Sequence, residues 1–350
     1  MKDAVMPAES PSLSGPLSGP LSGPLSGPIL VTGAAGFVGA RFVERCNGQR
    51  IEVISVDAPA YFEERTEHRG VNFGTVIDRA NLIAWMDAET ARLGHVPFSA
   101  IVHMGACTDT MQLDEAYLAK MNLDYTKAIW NFCVKHRVPL VYASSAATYG
   151  DGELGFEDED SLTPKLKPLN PYGESKRAFD EWAFGREKAG ETPPAWAGFK
   201  FFNVYGFGET HKRKMASLIV HAFHQILGTG GAKLFKSHKA GIADGEQSRD
   251  FIYVENVVDV LFFALAKPIR RGVYNLGTGK ARSFHDLVRA TFRAMGKPEK
   301  IEFIPTPEAL RERYQYFTEA RMDRLRAQGY TQPFTTLEQG VAAYIRRLEK

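Results

Sequence analysis

ILVTGAAGFVG, residues 29–39, places a short apolar run, Ile29 to Thr32, ahead of three glycines spaced every third residue, Gly33, Gly36 and Gly39. The run reads as a strand, and the amphipathic stretch from Phe37 to Cys46 reads as a helix. A strand that turns through glycines into a helix is the context in which this spacing carries chemistry. Glycine permits the tight turn and lets backbone N–H groups and the helix N-terminus approach a pyrophosphate. Asp57 ends the next apolar run, Ile51 to Asp57. That is about the distance at which a carboxylate accepts from an adenosine ribose hydroxyl. A glycine turn with no ligand is the plainer reading, but it leaves the coincidence of strand, turn, helix and acid unexplained.

Outward from this unit the pattern alternates. Val71 to Asp78 reads as a strand, Asn81 to Arg92 as a helix, Ala100 to Gly105 as a strand, Asp114 to His136 as a long helix and Pro139 to Ser145 as a strand. Strands separated by helices argue for a parallel sheet covered on both faces, and right-handed crossovers make it a doubly wound, Rossmann-like α/β domain. Beyond Gly206 the loops lengthen and the elements mix, among them Ser217–Leu227 and Ser283–Met295. This pattern predicts a smaller α/β C-terminal substrate domain. Residues 29–206 are expected to form the dinucleotide-binding domain, with some later segments returning to it, and 207–350 mainly the substrate domain. The crevice between them is the expected site. Residues 13–28 repeat LSGP four times, which buries little apolar surface, so residues 1–28 are expected to be a disordered leader outside the fold.

The 350 residues are 44% hydrophobic and 24% charged, with a formal charge of only +2. That is an ordinary globular balance without the electrostatic footprint of a nucleic-acid partner. The three cysteines, Cys46, Cys107 and Cys133, are too few and of the wrong parity for a disulfide framework. No CxxC pair or His/Cys spacing suggests zinc, and no metal is expected. The longest apolar runs, such as Val260 to Ala266, are too short to cross a bilayer, and the first residues lack the core of a secretory signal. No membrane partner and a cytoplasmic location follow as expectations.

Tyr172-Gly-Glu-Ser-Lys176 follows Pro171, which suits a helix start and puts positions four apart on one face. An ammonium near a phenol favours the phenolate and draws its pKa from about 10 toward neutrality. Such a tyrosine can exchange a proton with a carbinol. Tyr-x-x-x-Lys alone is a weak pattern. Upstream, however, a strand ends in YASSAATYG, which sets Ser144 and Ser145 at the edge where ligands sit.

With these motifs in order, the chain from Ile29 onward resembles the extended short-chain dehydrogenase/reductases. Within them it resembles the ADP-L-glycero-D-manno-heptose 6-epimerase family. The stretches that carry this are HMGACTDT, YASSAATYGDG, NPYGESK, FFNVYGFGETHKRKMAS, RDFIYVENVVDV, VYNLGTG and ERYQYFTEA. The resemblance implies an isomerase that oxidises C6″ of an ADP-heptose to a transient ketone and returns hydride to the other face. It implies Tyr172 as acid/base, with Lys176 supporting it and binding the nicotinamide ribose, Ser145 beside the reacting oxygen and Lys212 as the second acid/base. A solvated basic run, or fixed charge for a diphosphate, are alternative readings of His211 to Lys214. A catalytic lysine needs burial or neighbouring cations to lower its pKa, and Arg213 and Lys214 are expected to push that way.

The same resemblance assigns Gly33, Gly36, Phe37, Val38, Gly39, Asp57, Ala58, Asp78, Met104, Gly105, Ala106, Cys107, Thr108, Asn122 and Val204 to the cofactor. It assigns Asn203, Lys214, His221, Phe235, Lys236, Ser237, His238, Arg249 and Tyr314 to the substrate. The segment KSHKAGIADGEQSR is longer than the family pattern, so its register against the substrate is open. NADP is expected from the family, with Arg65 or Arg69 available for the 2′-phosphate; Asp57 by itself favours NAD, the other cofactor considered. A homo-oligomer, pentameric in the family, and a product feeding lipopolysaccharide core synthesis are further implications. Another nucleotide-sugar 4-epimerase or a dehydratase is the first rival reading, although SSAATYG holds no carboxylate for elimination. A non-catalytic dinucleotide sensor is the second, although both Tyr172 and Lys176 are intact.

Overall fold

The computed structural model describes residues 27–350 except Pro268 and residues 312–314. The expected leader therefore lies outside the described residues up to position 26. Its last two residues are tied to the fold, because Ser99 donates its hydroxyl to the Gly27 carbonyl at 3.0 Å and its N–H to the Pro28 carbonyl at 2.9 Å.

Twelve strands are described: β1 (Ile29–Thr32), β2 (Val53–Asp57), β3 (Thr75–Asp78), β4 (Ala100–His103), β5 (Leu140–Ser145), β6 (Trp196–Phe201), β7 (Asn203–Tyr205), β8 (Ala232–Phe235), β9 (Ser248–Tyr253), β10 (Gly272–Leu276), β11 (Ala281–Ser283) and β12 (Ile301–Ile304). Seven form one parallel sheet in the order β10-β6-β5-β4-β1-β2-β3. The order reverses between β1 and β4, and at such a switch point the crossover helices on opposite faces part and leave a crevice. Successive strand residues point to opposite faces. Ile29, Val31, Val102 and Val141 pack on one side with Phe42, Cys46, Leu261 and Phe262. Leu30, Ile101, Leu140 and Tyr142 pack on the other with Met86, Trp130, Cys133 and Phe179. Both faces are therefore covered, as the near-continuous apolar runs require. Burial pushes the Cys46 and Cys133 thiols up, Cys46 to about 12, which makes them core residues rather than reactive groups. Among the described residues no helix is long and apolar enough to cross a membrane.

The C-terminal half does not stay on its own side. β10 adds to the edge of the large sheet beside β6. The helix Val254–Ala266 lies on the helix Phe37–Gly48, where the Phe42 and Phe262 rings stack at 4.7 Å and Arg45 reaches Asp259 at 2.7 Å and Glu255 at 3.0 Å. The remaining strands make a three-stranded sheet, β11-β9-β7, and a β12-β8 pair. Only Phe202 separates β6 from β7, so one extended run leaves the large sheet and enters the small one. The seam is held where Phe202 donates its N–H to the Leu276 carbonyl at 3.1 Å.

The stacked pair gives a stability prediction. Phe262 is 4% exposed against a fully buried Phe42. Phe262→Ala is expected to cost about 3–5 kcal/mol, seen as a lower urea midpoint at unchanged slope. An unchanged midpoint would mean that this contact does not hold the two helices together.

Candidate active site

The cofactor end is built on missing side chains. Gly33 has φ +64°, and a Cβ there would lie 2.7 Å from the Gly105 N; a Cβ on Gly39 would lie 2.0 Å from the Gly33 carbonyl oxygen. The turn, the first helix and the loop after β4 thus meet backbone to backbone. Gly36 begins the helix without a side-chain cap, and no acid occupies its first turn, so its N–H groups face the cavity ready for an anion. Gly33, Gly36, Phe37, Val38 and Gly39 all line one cavity of about 750 Å³. The Asp57 carboxylate accepts from Ala35 N–H at 3.2 Å and Ala58 N–H at 2.9 Å. Burial pushes it up, and those N–H groups, Arg65 and Arg79 oppose the rise. Beside it the Tyr61 ring lies 3.9 Å from the Arg65 guanidinium and 5.7 Å from that of Arg79, both within cation–π reach. Arg79 lines the cavity; Arg69 is exposed and does not. Ala58 and Asp78 lie behind the wall, where Asp78 caps the turn Arg79–Asn81 through Ala80 N–H at 2.9 Å and so sets Arg79.

The loop after β4 brings Met104, Gly105, Ala106, Cys107 and Thr108 to the wall. A chain of hydrogen bonds fixes it from below. Gly105 N–H donates to the Thr32 hydroxyl at 3.1 Å, which pairs with His103 Nδ1 at 2.6 Å; His103 Nε2 pairs with the Thr126 hydroxyl at 2.9 Å, which donates to the Asn122 carbonyl at 2.7 Å. Burial, helped by Lys176, lowers His103 to about 3. It is therefore neutral, with Nδ1 accepting and Nε2 donating. Asn122 does not line the cavity. It lies on a π-type turn, Ala119–Asp124, and clamps Cys107 by accepting from its N–H at 2.8 Å and donating to its carbonyl at 3.0 Å. Such turns often mark functional positions, and this one divides the long helix expected over 114–136.

Tyr172 and Lys176 share the helix Pro171–Lys188, which Asn170 caps through Gly173 N–H at 2.8 Å. Both line the cavity with Ser145 at the end of β5. The expected tuning takes another form. Burial raises Tyr172, opposed by the Ser145 hydroxyl, while the Lys176 ammonium donates to the Ala143 carbonyl at 2.8 Å. Burial lowers Lys176 itself to about 8, against the pull of Asp180. Asp180, one turn further along and fully buried, accepts from the Ser144 hydroxyl at 2.6 Å and the Tyr142 hydroxyl at 3.0 Å. It thereby ties the helix that carries Tyr172 to the strand that carries Ser145.

Across the cavity, β7 brings Asn203 and Val204 to the wall, and the short helical segment Thr210–Met215 brings His211 and Lys212. Glu209, fully buried, closes this loop at its base: its carboxylate accepts from Gly206 N–H at 3.3 Å, Ser217 N–H at 2.8 Å and the Ser217 hydroxyl at 2.6 Å. Arg213 has φ +50°, a left-handed backbone that costs a side-chain residue about 1–3 kcal/mol and persists only where its surroundings impose it. The Lys212 ammonium lies 5.5 Å from the Phe37 ring centroid. Burial lowers its pKa, and Glu209 opposes that. Arg213 and Lys214, expected to push it down, are exposed, so burial does that work instead. Glu67 accepts from both the N–H and the ring Nδ1 of His211, at 3.0 and 2.8 Å. Although Glu67, His68 and His211 offer donor atoms within 4.8 Å of one another, hydrogen bonds occupy them: His68 Nε2 bonds the Ala35 carbonyl at 3.0 Å.

Other residues named from sequence lie off this wall. Lys214 is exposed, and His221 is half-buried on the helix Leu218–Thr229. Phe235 ends β8, Lys236 is exposed, Ser237 N–H donates to Asp244 at 2.8 Å, and His238 N–H donates to the Tyr316 hydroxyl at 2.9 Å. Arg249 stands one layer back. It is buried, bonded to the Ser248 and Gln315 carbonyls, with its guanidinium 5.5 Å from the ring of Phe284, which is on the wall. Tyr314 lies outside the described residues. Sequence reading missed Tyr61, Arg79, Glu67, Glu209, Asp180, Phe251 and Phe284. Asp180, one turn beyond Lys176, is the one whose spacing signalled it.

The family model for the NAD dependent epimerase/dehydratase family matches residues 29–277. A protein of Fusobacterium nucleatum subsp. nucleatum, named ADP-L-glycero-D-manno-heptose-6-epimerase, is 45% identical over 327 residues, which cover 91% of this chain and 97% of that one. A protein of Nitratidesulfovibrio vulgaris with the same name is 44% identical, with 91% and 97% covered. The crystal structure of the Helicobacter pylori protein of that name matches with a TM-score of 0.73 at 26% identity, covering 95% of this chain and 98% of that one. Family model, relatives and fold agree: the chain belongs to the NAD dependent epimerase/dehydratase family.

Proposed function

We propose that this enzyme inverts C6″ of ADP-D-glycero-D-manno-heptose to give the L-glycero epimer through a transient 6″-ketone. The observation that carries the reading is that two proton-transfer groups from different elements, Tyr172 and Lys212, line one cavity, and relatives with this name match nearly the whole chain. The glycine cradle, the uncapped helix start and Asp57 suit a nicotinamide dinucleotide, which Gly33, Gly36, Gly39, Asp57 and Lys176 would hold. When bound it supplies the acceptor and donor of hydride. Inversion needs a proton acceptor and donor for each face of a planar carbon. Tyr172, with Ser145 beside it, serves one face by taking the carbinol proton and returning it. Lys212 serves the other, its burial favouring the neutral amine that a base requires. Dehydration would need a carboxylate beside Ser145, and the wall's acids, Asp57, Asp109 and Glu209, lie on other elements. The same reading carries a homo-oligomeric, cytoplasmic enzyme feeding lipopolysaccharide core synthesis, supported by the family resemblance alone.

Proton NMR of the C6″ centre tests the reaction. Wild-type protein is expected to turn either epimer into a mixture of both. Tyr172→Phe and Lys212→Met are each expected to slow this by about 10²–10⁴-fold. Conversion that survives Lys212→Met would leave the epimerase but reduce Lys212 to a phosphate contact. No conversion by the wild type would overturn the substrate.

NADP is the cofactor this reading favours. Two arginines, Arg65 and Arg79, flank Tyr61 next to Asp57, and their charge offsets the carboxylate that would repel a 2′-phosphate. Arg79→Ala is expected to weaken NADPH binding about 10–100-fold, the worth of one charge-assisted hydrogen bond, and to leave NADH within about threefold. Fluorescence titration with both nucleotides reads this. Equal weakening of the two would point to NAD.

A further inference from the structure

We infer that Glu67 is a positioning residue for Lys212: it reaches across from the cofactor domain, grips His211 and holds the lysine loop in the geometry that presents its ammonium to the cavity. The inference rests on the proposed role of Lys212 as second acid/base. Glu67 and His211 are 144 positions apart in sequence, and Glu67 follows β2, on the far side of the cavity from the elements that carry Tyr172. One carboxylate oxygen accepts two hydrogen bonds from the same residue, its backbone N–H at 3.0 Å and its ring Nδ1 at 2.8 Å. Two bonds from one residue fix both the position of the backbone and the orientation of the ring.

The loop needs such a hold. The Glu209 carboxylate ties its two ends, at Gly206 and Ser217. Between them Arg213 sits at φ +50°, immediately after Lys212. Backbone bonds inside the turn, from Lys212 N–H to the Glu209 carbonyl at 3.0 Å and from Ala216 N–H to the Arg213 carbonyl at 3.1 Å, keep its shape, and the tie to Glu67 holds it against the cofactor side of the cavity. Among the described residues the Lys212 ammonium has no hydrogen bond or ion pair of its own that would hold it there. Next to Glu67, His68 and Arg65 both reach the Ala35 carbonyl in the glycine turn, so the grip is anchored to the cofactor cradle and not to a loose loop. Burial would raise the Glu67 carboxyl. Hydrogen bonds from its own backbone, the His211 ring, the His211 N–H and Thr210 outweigh burial and hold it down at about 2, so it stays ionised and His211 Nδ1 carries the shared proton.

Two measurements test this on the full chain with cofactor bound. The first is lysine footprinting with acetic anhydride, read by mass spectrometry. In Glu67→Ala the labelling of Lys212 is expected to rise several-fold, while that of exposed Lys214 stays unchanged. Glu67→Gln keeps a neutral acceptor for both bonds and is expected to restore most of the protection. Unchanged Lys212 labelling in folded Glu67→Ala would overturn the inference, whatever the substrate turns out to be. The second is the single-turnover change at 340 nm, started separately from each C6″ epimer. Because Tyr172 and Lys212 serve opposite faces, Glu67→Ala is expected to slow oxidation of one epimer about 10–100-fold and the other less than about threefold. A merely structural defect would slow both alike, and that result would also overturn the role. Failure of the wild type on both epimers would sink the substrate assignment instead, and the footprint would still decide the grip. If Glu67→Ala does not fold, His211→Phe removes the same ring bond and is expected to give the same one-sided loss.

Discussion

Everything at this site hangs on backbone touching backbone at the top of β1. The Gly33 turn lies so close to Gly105 and to Gly39 that no side chain fits between them. That closeness has two effects. It opens the start of the first helix to the cavity, and it sets the loop after β4 at a fixed height beside it. The chain of bonds from Thr32 through His103 and Thr126 to Asn122 then carries that height into the next helix, which touches Ser175 through Asn122 at 3.0 Å. The Tyr172 helix is therefore registered against the glycine turn by a continuous polar path, without needing to touch the turn.

A second theme is that charge is kept inside the protein, near the chemistry but out of its way. Asp180 and Lys200 lie 3.9 Å apart and almost wholly buried; Glu209 is fully buried. Leaving such groups unpaired would cost several kcal/mol each, and each is satisfied by donors or a countercharge. Polar networks of this kind specify one arrangement where an apolar core tolerates several. The arrangement specified here is the relative placement of the Tyr172 helix, the Ser145 strand and the Lys212 loop.

The doubly wound parallel sheet was legible because apolar runs bounded by helical periods leave few alternatives, and the glycine turn was legible because ILVTGAAGFVG needs both its neighbours to make sense. Tyr172, Lys176 and Ser145 could be read from local spacing. Glu67 could not, because its meaning comes from His211, 144 positions along the chain. Arg79 was hidden for another reason: it opens a turn capped by Asp78 that no sequence pattern announces, whereas Arg69, nearer to Asp57 in sequence, is exposed. Residues 235–238 and 249 were assigned through resemblance, and the long segment between them folds about Asp244, outside the cavity wall. Lys212 does line the cavity, but what shifts its pKa differs from the expectation. The expected cations, Arg213 and Lys214, face water, and burial lowers the Lys212 pKa.

The run from β6 to β7 through Phe202 has a consequence for how this protein can be taken apart. The chain crosses between the two sheets there, returns by the helix Val254–Ala266 to lie on the first helix, and supplies β10 to the edge of the large sheet before leaving again for β11. The two regions are laced rather than strung. A gene cut after residue 206 would deliver a large sheet lacking its outermost strand, with the hydrogen-bonding edge of β6 unpaired, and a second piece whose own strand β9 had lost its partner β7. Neither half can be inherited, swapped or appended alone. Loops such as the one bearing Lys212 lie outside the lacing and can be changed in place while it stays whole.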